Sequence, residues 1–115
     1  MCITTVQGKE YQEEKCYPGL IVLKKDKKLF LFFTEIELLI PCNGDGTFCD
    51  VIMERDDCVK FNSVKFPVIN REPFSTRSEK IHTEIEDKEN NKVIPLTLFV
   101  ERINRATRLL SVTID

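Results

Sequence analysis

The sequence predicts an all-β fold class, a small antiparallel barrel or sandwich of about seven to nine strands built from sequential hairpins. Ala106 is the only alanine, whereas isoleucine, valine and threonine are abundant, and these β-branched residues favour strands over helices. Apolar residues two positions apart recur in short segments that end at polar turns. The pair Asp45-Gly46 favours a tight hairpin turn, because both central residues of a type I′ turn need positive φ.

Length and composition favour a single domain that spans residues 1–115. The chain is 42% hydrophobic and 31% charged, and no apolar run approaches the roughly 18 residues that cross a bilayer. The N-terminus lacks the basic start and apolar core of a signal peptide. The five cysteines are an odd number without close pairing, which predicts reduced thiols. We therefore expect a soluble protein of the cytoplasm or nucleus with no membrane partner.

The first predicted hairpin follows the turn residues Pro18-Gly19. Leu20 to Leu23 has the length and apolar character of a short buried strand. Leu29 to Phe33 is the returning strand. The lysine-rich segment 24–28 joins the two as a charged turn.

The second predicted hairpin runs from Ile36 to Met53 around Asp45-Gly46. Its main apolar face consists of Ile36, Leu38, Ile40, Cys42, Cys49, Val51 and Met53. Its other face places Leu39 opposite Ile52, so we expect both faces to be covered. In this register Cys42 and Cys49 form a hydrogen-bonded cross-strand pair, where a disulfide is strained, so we expect two packed thiols.

Two short strands and an irregular segment come next. Cys58 to Phe61 and Val64 to Val68 read as strands, and Pro67 marks a sheet edge or a strand end because proline cannot donate to a ladder. Residues 70–79 form the longest segment without apolar periodicity. We expect a flexible excursion there.

The last third of the chain fits either strands or helices. Ile81, Thr83 and Ile85 alternate with polar residues, which favours a strand over a helix started by the capping box Thr76-x-x-Glu79. Residues 93–100 and 110–115 also alternate, and they predict a hairpin with its loop at 104–107. The alternative is a helix over residues 96–110, which would give a β-barrel with a C-terminal helix.

The predicted core combines the inward-facing apolar residues of these strands. In a strand, residues two positions apart share a face, so each segment contributes one alternating set. The set comprises Ile21, Leu23, Leu29, Leu31, Leu38, Ile40, Val51, Met53, Val59, Phe66, Leu98, Val112 and Ile114.

Sequence motifs for catalysis and for metal binding are lacking. His82 is the only histidine, and in the strand interpretation it shares a solvated face with Glu84 and Glu86. The chain has no P-loop, dinucleotide-binding turn, nucleophile elbow or EF-hand loop. The cysteine spacings do not match a zinc motif. The sequence therefore predicts a non-enzyme with no catalytic residue, metal ligand or cofactor.

The preferred functional hypothesis is a non-catalytic protein-binding or self-associating interaction module. An exposed sheet edge would allow pairing across a homodimer, and apolar residues off the main core face would supply the contact. The predicted partner-binding residues are Phe33, Leu39, Phe48, Ile52 and Phe74.

Two other binding functions stay open at the level of sequence. A small β-barrel for single-stranded nucleic acid would use lysines beside phenylalanines, although a net charge of −2 gives no global attraction to phosphate. The candidate residues for that function are Lys24, Lys25, Lys27, Lys28, Arg102, Arg105 and Arg108. A carrier of a small apolar ligand would instead need an enclosed cavity.

A limited resemblance concerns the order of short strands, the turn Asp45-Gly46-Thr47 and the spacing Cys58-x-x-Phe61. These features are similar to those of the small RNA-binding replicase subunit of coronaviruses, a barrel that ends in a helix. The similarity does not extend to residues 62–91 and transfers no site residue, so we assign no family.

Overall fold

The computed structural model describes residues 2–104 and 106–115, and it confirms the all-β prediction. Every regular element in those residues is a β-strand, and all pairings are antiparallel. The strands are β1 (Ile3–Val6), β2 (Lys9–Tyr17), β3 (Leu20–Lys25), β4 (Lys28–Phe33), β5 (Leu38–Pro41), β6 (Val51–Glu54), β7 (Cys58–Phe61), β8 (Val64–Pro67), β9 (Asn70–Pro73), β10 (Ser78–Asp87), β11 (Lys92–Ile103) and β12 (Ala106–Ile114).

The strands form two sheets. The five-stranded sheet has the order β1-β2-β3-β4-β5, so each strand pairs with its neighbour in sequence. The seven-stranded sheet has the order β8-β7-β6-β12-β11-β10-β9. In that sheet two runs of sequential hairpins are joined by the pairing of β6 with β12, where Thr107 lies opposite Ile52.

The seven-stranded sheet is curled into a half-barrel. Its edge strands β8 and β9 are consecutive in the chain and are separated only by Val68 and Ile69. The Thr83 hydroxyl on β10 donates to the carbonyl of Pro67 on β8 at 2.5 Å, and the Ile69 N–H donates to the His82 carbonyl at 2.9 Å. The two edges are therefore held close together.

The main core lies between the concave face of the half-barrel and one face of the five-stranded sheet. Edge-to-face aromatic contacts join the two sheets, with ring centroids 5.8 Å apart for Tyr17 and Phe61 and 6.5 Å apart for Phe33 and Phe66. The largest fully buried side chains of this core are Phe33, Phe61, Phe66, Leu20, Leu31, Ile81, Leu96, Val22, Val59 and Val100.

The predicted core is right in part. The residues that are buried as expected are Leu23, Leu29, Leu31, Val59, Phe66, Leu98 and Val112, of which Leu23 lies on the other face of the five-stranded sheet. Those that are only partly buried are Ile21, Leu38, Ile40, Val51 and Ile114. The prediction that Met53 belongs to the core is wrong, because Met53 is 68% exposed while its neighbour Ile52 is 3% exposed. Successive residues of β6 face opposite sides, so a one-residue error in phase exchanges core and surface.

The predicted hairpin from Ile36 to Met53 does not form. β5 pairs with β4, and the Cys42 N–H continues that ladder by donating to the Leu29 carbonyl at 2.9 Å. β6 pairs with β7 and β12 in the other sheet. The local bend is present, since Gly46 has φ of +84° and the Asp45 side chain accepts from the Thr47 N–H at 2.9 Å. The bend joins two sheets instead of two paired strands.

The predictions for the last third of the chain are mostly confirmed. Residues 78–87 form strand β10, as predicted. β11 and β12 form the C-terminal hairpin, so the alternative prediction of a helix over residues 96–110 is wrong. The loop is shorter than predicted, because Ala106 and Thr107 already belong to β12. Residues 70–73 are the exposed edge strand β9, and the flexibility of the segment 70–79 stays a prediction.

A charged cluster lies across one end of the half-barrel. The Arg71 guanidinium on β9 contacts Glu54 on β6 at 2.7 Å and also pairs with Glu79 on β10. Arg102 on β11 contacts Glu54 at 3.1 Å and Glu79 at 3.5 Å. Glu54 and Arg102 each follow a core residue by two positions, so both point to the concave side. The cluster ties β9 to β6 across three intervening strands.

The turn between β2 and β3 contacts the seven-stranded sheet through backbone atoms. The Val112 N–H donates to the Pro18 carbonyl at 2.9 Å. Gly19 has φ of +87°, and a Cβ placed there would lie 2.0 Å from the Val112 oxygen. Only glycine satisfies both the positive φ and this close approach.

We expect Gly19→Ala to destabilise the protein far more than Gly8→Ala. Gly8 also has a positive φ, of +78°, but a Cβ there meets nothing within 4 Å. Gly8→Ala should therefore cost only the left-handed backbone strain, about 1 kcal/mol, whereas Gly19→Ala should cost at least about 3 kcal/mol. Urea unfolding of both variants measures the difference, and equal losses would contradict this account of the contact between the sheets.

Candidate interaction surfaces

The outer face of the five-stranded sheet carries a second apolar cluster. We call it the outer cluster, and it comprises Val6, Tyr11, Ile21, Leu23, Phe30, Phe32 and Leu39. It forms because β3 and β4 are apolar at successive positions, so both faces of these strands are apolar. Leu23 lies opposite Phe30, Ile21 opposite Phe32, and Phe32 opposite Leu39. These cross-strand pairs make one continuous patch.

No residue of the seven-stranded sheet belongs to the outer cluster. Leu23 is fully buried by its own neighbours, while Ile21, Phe30, Phe32 and Leu39 remain partly exposed. The rings of Tyr11 and Phe30 meet edge to face at 5.3 Å. Within the described chain, this face therefore has an apolar centre without a second sheet packed on it.

The two ends of this face carry opposite charge. At one end the β3–β4 turn places Lys25 opposite Lys28, and the Lys25 ammonium lies 5.4 Å from the centre of the Tyr11 ring. At the other end the β4–β5 turn carries the exposed residues Glu35 and Glu37. The outer face is thus basic at one end, acidic at the other and mostly apolar in the middle, where the Glu13 carboxylate, opposite Leu23, accepts a hydrogen bond from the Thr4 hydroxyl.

The structure does not bring the predicted partner-binding residues together. Phe33 and Ile52 are core residues with 0% and 3% exposure, so neither reaches the surface. Phe48 is partly buried against the main core. Leu39 belongs to the outer cluster. Phe74 is 64% exposed on the other sheet, where its ring meets Phe99 edge to face at 5.2 Å.

Sequence reasoning missed most of the outer cluster, although its signal is visible. The five residues from Leu29 to Phe33 are all apolar, which requires two apolar faces in a strand. The odd positions of that run face the core and the even positions face outward. The pairing of β4 with both β3 and β5 then surrounds Phe30 and Phe32 with apolar neighbours.

The two predicted basic groups lie on different sheets. The four lysines are in or beside the β3–β4 turn of the five-stranded sheet. Arg102 is paired with Glu54 and Glu79, and Arg108 contacts the Asp50 carboxylate at 3.3 Å. Arg105 lies outside the described residues. Both described arginines are thus neutralised by carboxylates.

A groove with a volume of about 580 Å³ separates β5 from β8 and the β10–β11 turn. In its wall the Asp87 carboxylate accepts a hydrogen bond from the Asn90 side-chain amide at 2.8 Å. This hydrogen bond holds the pKa of Asp87 below its usual value. Solvent-exposed residues such as Glu37 and Glu89 also line the groove, so it is not the enclosed cavity of a ligand carrier.

The five cysteines are all unpaired. Cys42 and Cys49 line the same small cavity of about 210 Å³, but they do not lie opposite each other in a ladder. Cys42 is packed against the main core, and burial raises the pKa of its thiol to about 11. Cys49 is exposed, so the predicted pair of packed thiols is right only for Cys42.

His82 lies on β10 and takes part in a chain of polar contacts. Its Nδ1 is 3.1 Å from the Thr97 hydroxyl, which donates to the Asp115 carboxylate at 2.7 Å. Its Nε2 is 3.8 Å from a Glu72 carboxylate oxygen. His82 lines neither of the two cavities described above. In the described residues, no cluster of three or more His, Cys, Asp or Glu side chains is arranged to hold a metal ion.

No protein-family model, curated protein or solved structure matches this chain. The resemblance to the coronavirus replicase subunit thus finds no support in these comparisons. Residues 2–104 and 106–115 also contain no helix that is long and apolar enough to cross a membrane.

We expect iodoacetamide at pH 8 to alkylate Cys49 at least tenfold faster than Cys42. The thiolate is the reactive form, and burial both keeps the Cys42 thiol protonated and restricts access to it. Peptide mapping by mass spectrometry over time gives the two rates separately. In about 6 M guanidinium the rates should converge. Equal rates in the folded protein would contradict the packing of Cys42.

Proposed function

We propose that this protein is a non-catalytic, self-associating interaction module that pairs through the outer face of its five-stranded sheet. The observation that carries the proposal is the outer cluster, whose partly exposed members Phe30 and Phe32 lie on a face on which no second sheet of the described residues is packed. Contiguous apolar patches of this kind on a protein surface commonly mark binding sites. Burial of the patch supplies the free energy of association.

Charge favours a second copy as the occupant. A two-fold axis that lies in the interface and runs perpendicular to the strands places the basic end of one copy over the acidic end of the other. Lys28 of each copy then lies near Glu35 and Glu37 of its partner, and the apolar centres meet. A two-fold axis parallel to the strands would instead place lysines over lysines.

The size of the face sets the expected strength of the dimer. Five strands about 4.8 Å apart and about 20 Å long give a face of roughly 480 Å², or roughly 1,000 Å² for two copies. Specific interfaces usually bury about 1,200–2,000 Å² in total. We therefore expect a weak dimer with a Kd in the micromolar range that depends on concentration.

We expect Phe32→Asp to weaken the dimer at least tenfold, because it places a charge at the centre of the apolar contact. Sedimentation velocity from about 1 to about 500 µM measures the dissociation constant. The matched control is Val93→Asp, at a position that is 55% exposed on the seven-stranded sheet. Circular dichroism checks that both variants fold. A wild-type chain that stays monomeric over this range excludes self-association.

A charge-swap experiment tests the orientation of the dimer. Lys28→Glu and Glu35→Lys should each weaken homodimers, because each variant places like charges at the facing ends. A mixture of the two variants should form a heterodimer, since both facing ends then carry opposite charges. Failure of the mixture to associate, with both variants folded, would exclude the proposed axis.

Binding of single-stranded nucleic acid is a second candidate that the same face supports. Lys25 and Lys28 lie on the outer face beside Phe30 and Phe32, so cations and partly exposed aromatic rings occur together. Cations contact phosphates and aromatic rings stack on bases in such sites. Fluorescence anisotropy with a labelled oligo-dT distinguishes the two candidates. Oligonucleotide affinity that falls steeply as the salt concentration rises would favour nucleic-acid binding. A chain that dimerises in a concentration-dependent way but does not bind the oligonucleotide would favour self-association.

A further inference from the structure

The groove between the two sheets follows the free edge of β5. All four residues of β5, Leu38 to Pro41, line it. Side chains of consecutive strand residues point to opposite faces, so a cavity that touches all four must run along the edge of the strand. β5 is an edge strand of its sheet, with β4 as its partner on the other side.

The unpaired backbone groups of β5 can be assigned from the ladder. The Cys42 N–H donates to Leu29, so the hydrogen-bonded pairs of β4 and β5 are at Ile40 and Leu38. The alternate residues Leu39 and Pro41 then point their backbone groups toward the groove. Leu39 offers an N–H and a carbonyl, while Pro41 offers only a carbonyl.

The opposite wall also presents a free strand edge. Asn62 and Ser63 both have positive φ and form a two-residue turn, so Phe61 and Val64 are a hydrogen-bonded pair of β7 and β8. The next residue, Lys65, points its N–H and carbonyl away from β7. Pro67, two residues further along β8, confirms this direction of the backbone groups, because its carbonyl accepts a hydrogen bond from the Thr83 hydroxyl on β10. Val64 and Lys65 both line the groove.

The rim of the groove is more acidic than basic. Four carboxylates line it, at Glu37, Glu86, Asp87 and Glu89, together with two lysines, at Lys65 and Lys88. The Asp87 carboxylate already accepts a hydrogen bond from the Asn90 side-chain amide. The other three are on exposed residues. An occupant with basic side chains is therefore complementary in charge to the groove.

We propose that this groove binds an extended, basic peptide segment of a partner protein by strand addition to β5. The segment exchanges two backbone hydrogen bonds with Leu39, places alternate apolar side chains against the groove walls, and directs basic side chains to the carboxylates at the rim. Pro41 limits the ladder, because it cannot donate where a longer strand would need an N–H. The groove adjoins the outer face at Leu39, which belongs to both, whereas its rim residues Glu86 and Glu89 lie on β10 and in the β10–β11 turn.

The probe is a blocked peptide of seven residues in which valine and lysine alternate. Amide chemical shifts of ¹⁵N-labelled protein should change at Leu39 and Lys65 on titration, with affinity in the high micromolar range. The same peptide with glutamate in place of lysine should bind at least tenfold more weakly. N-methylation of the alternate amides on one edge should also weaken binding at least tenfold, because it removes the donors to β5. A titration that leaves Leu39 unperturbed at about 1 mM peptide overturns the proposal.

A charge-reversal variant keeps the test independent of the outer face. Glu86→Lys combined with Glu89→Lys should reverse the preference, so that the glutamate peptide binds more tightly than the lysine peptide. The matched control is Asp56→Lys with Asp57→Lys, which makes the same change in the exposed β6–β7 turn. If the rim variant, Glu86→Lys with Glu89→Lys, still binds the lysine peptide more tightly than the glutamate peptide, the role assigned to the rim carboxylates is wrong. The dimer constant of the rim variant should equal that of the wild type, so failure of this proposal and failure of self-association are distinguishable.

Discussion

The two-residue connection between β8 and β9 is the constraint on which the rest of the structure depends. These strands are the opposite edges of the seven-stranded sheet. In a flat sheet with strands about 4.8 Å apart, the edges would be about 29 Å apart, whereas the connection through Val68 and Ile69 reaches only about 10 Å. The sheet must therefore curl until β8 approaches β10, where Thr83 donates to the Pro67 carbonyl.

The curl decides which surfaces remain open. The concave side of the half-barrel takes one face of the five-stranded sheet into the main core, and Glu54 and Arg71 bridge one end of the concavity. The outer face of the five-stranded sheet keeps an apolar cluster, and its edge strand β5 keeps a free ladder position at Leu39. Both proposed interaction surfaces thus involve the five-stranded sheet.

Local sequence patterns predicted the elements better than their partners. The alternation of Ile81, Thr83 and Ile85 predicted strand β10, and the alternation near the C-terminus predicted the hairpin of β11 and β12. The Asp45-Gly46 bend is present, yet the strands that flank it pair elsewhere because burial beside β4 and β12 outweighs a local turn. Of the predicted contact residues only Leu39 lies in the outer cluster. Phe33 shares the core face of β4 with Leu29 and Leu31, as period-two alternation already implied, whereas the phase of Ile52 depended on the partners of β6.

The sequence by itself determined that the chain is built of short strands, where most of them lie, and that β4 has two apolar faces. Period-two alternation carries that information in each segment alone. Only the tertiary structure decided which face of β6 is buried and which backbone groups of β5 remain unpaired. These outcomes depend on the pairing partner and its register, and a shift of one residue exchanges the two faces of a strand.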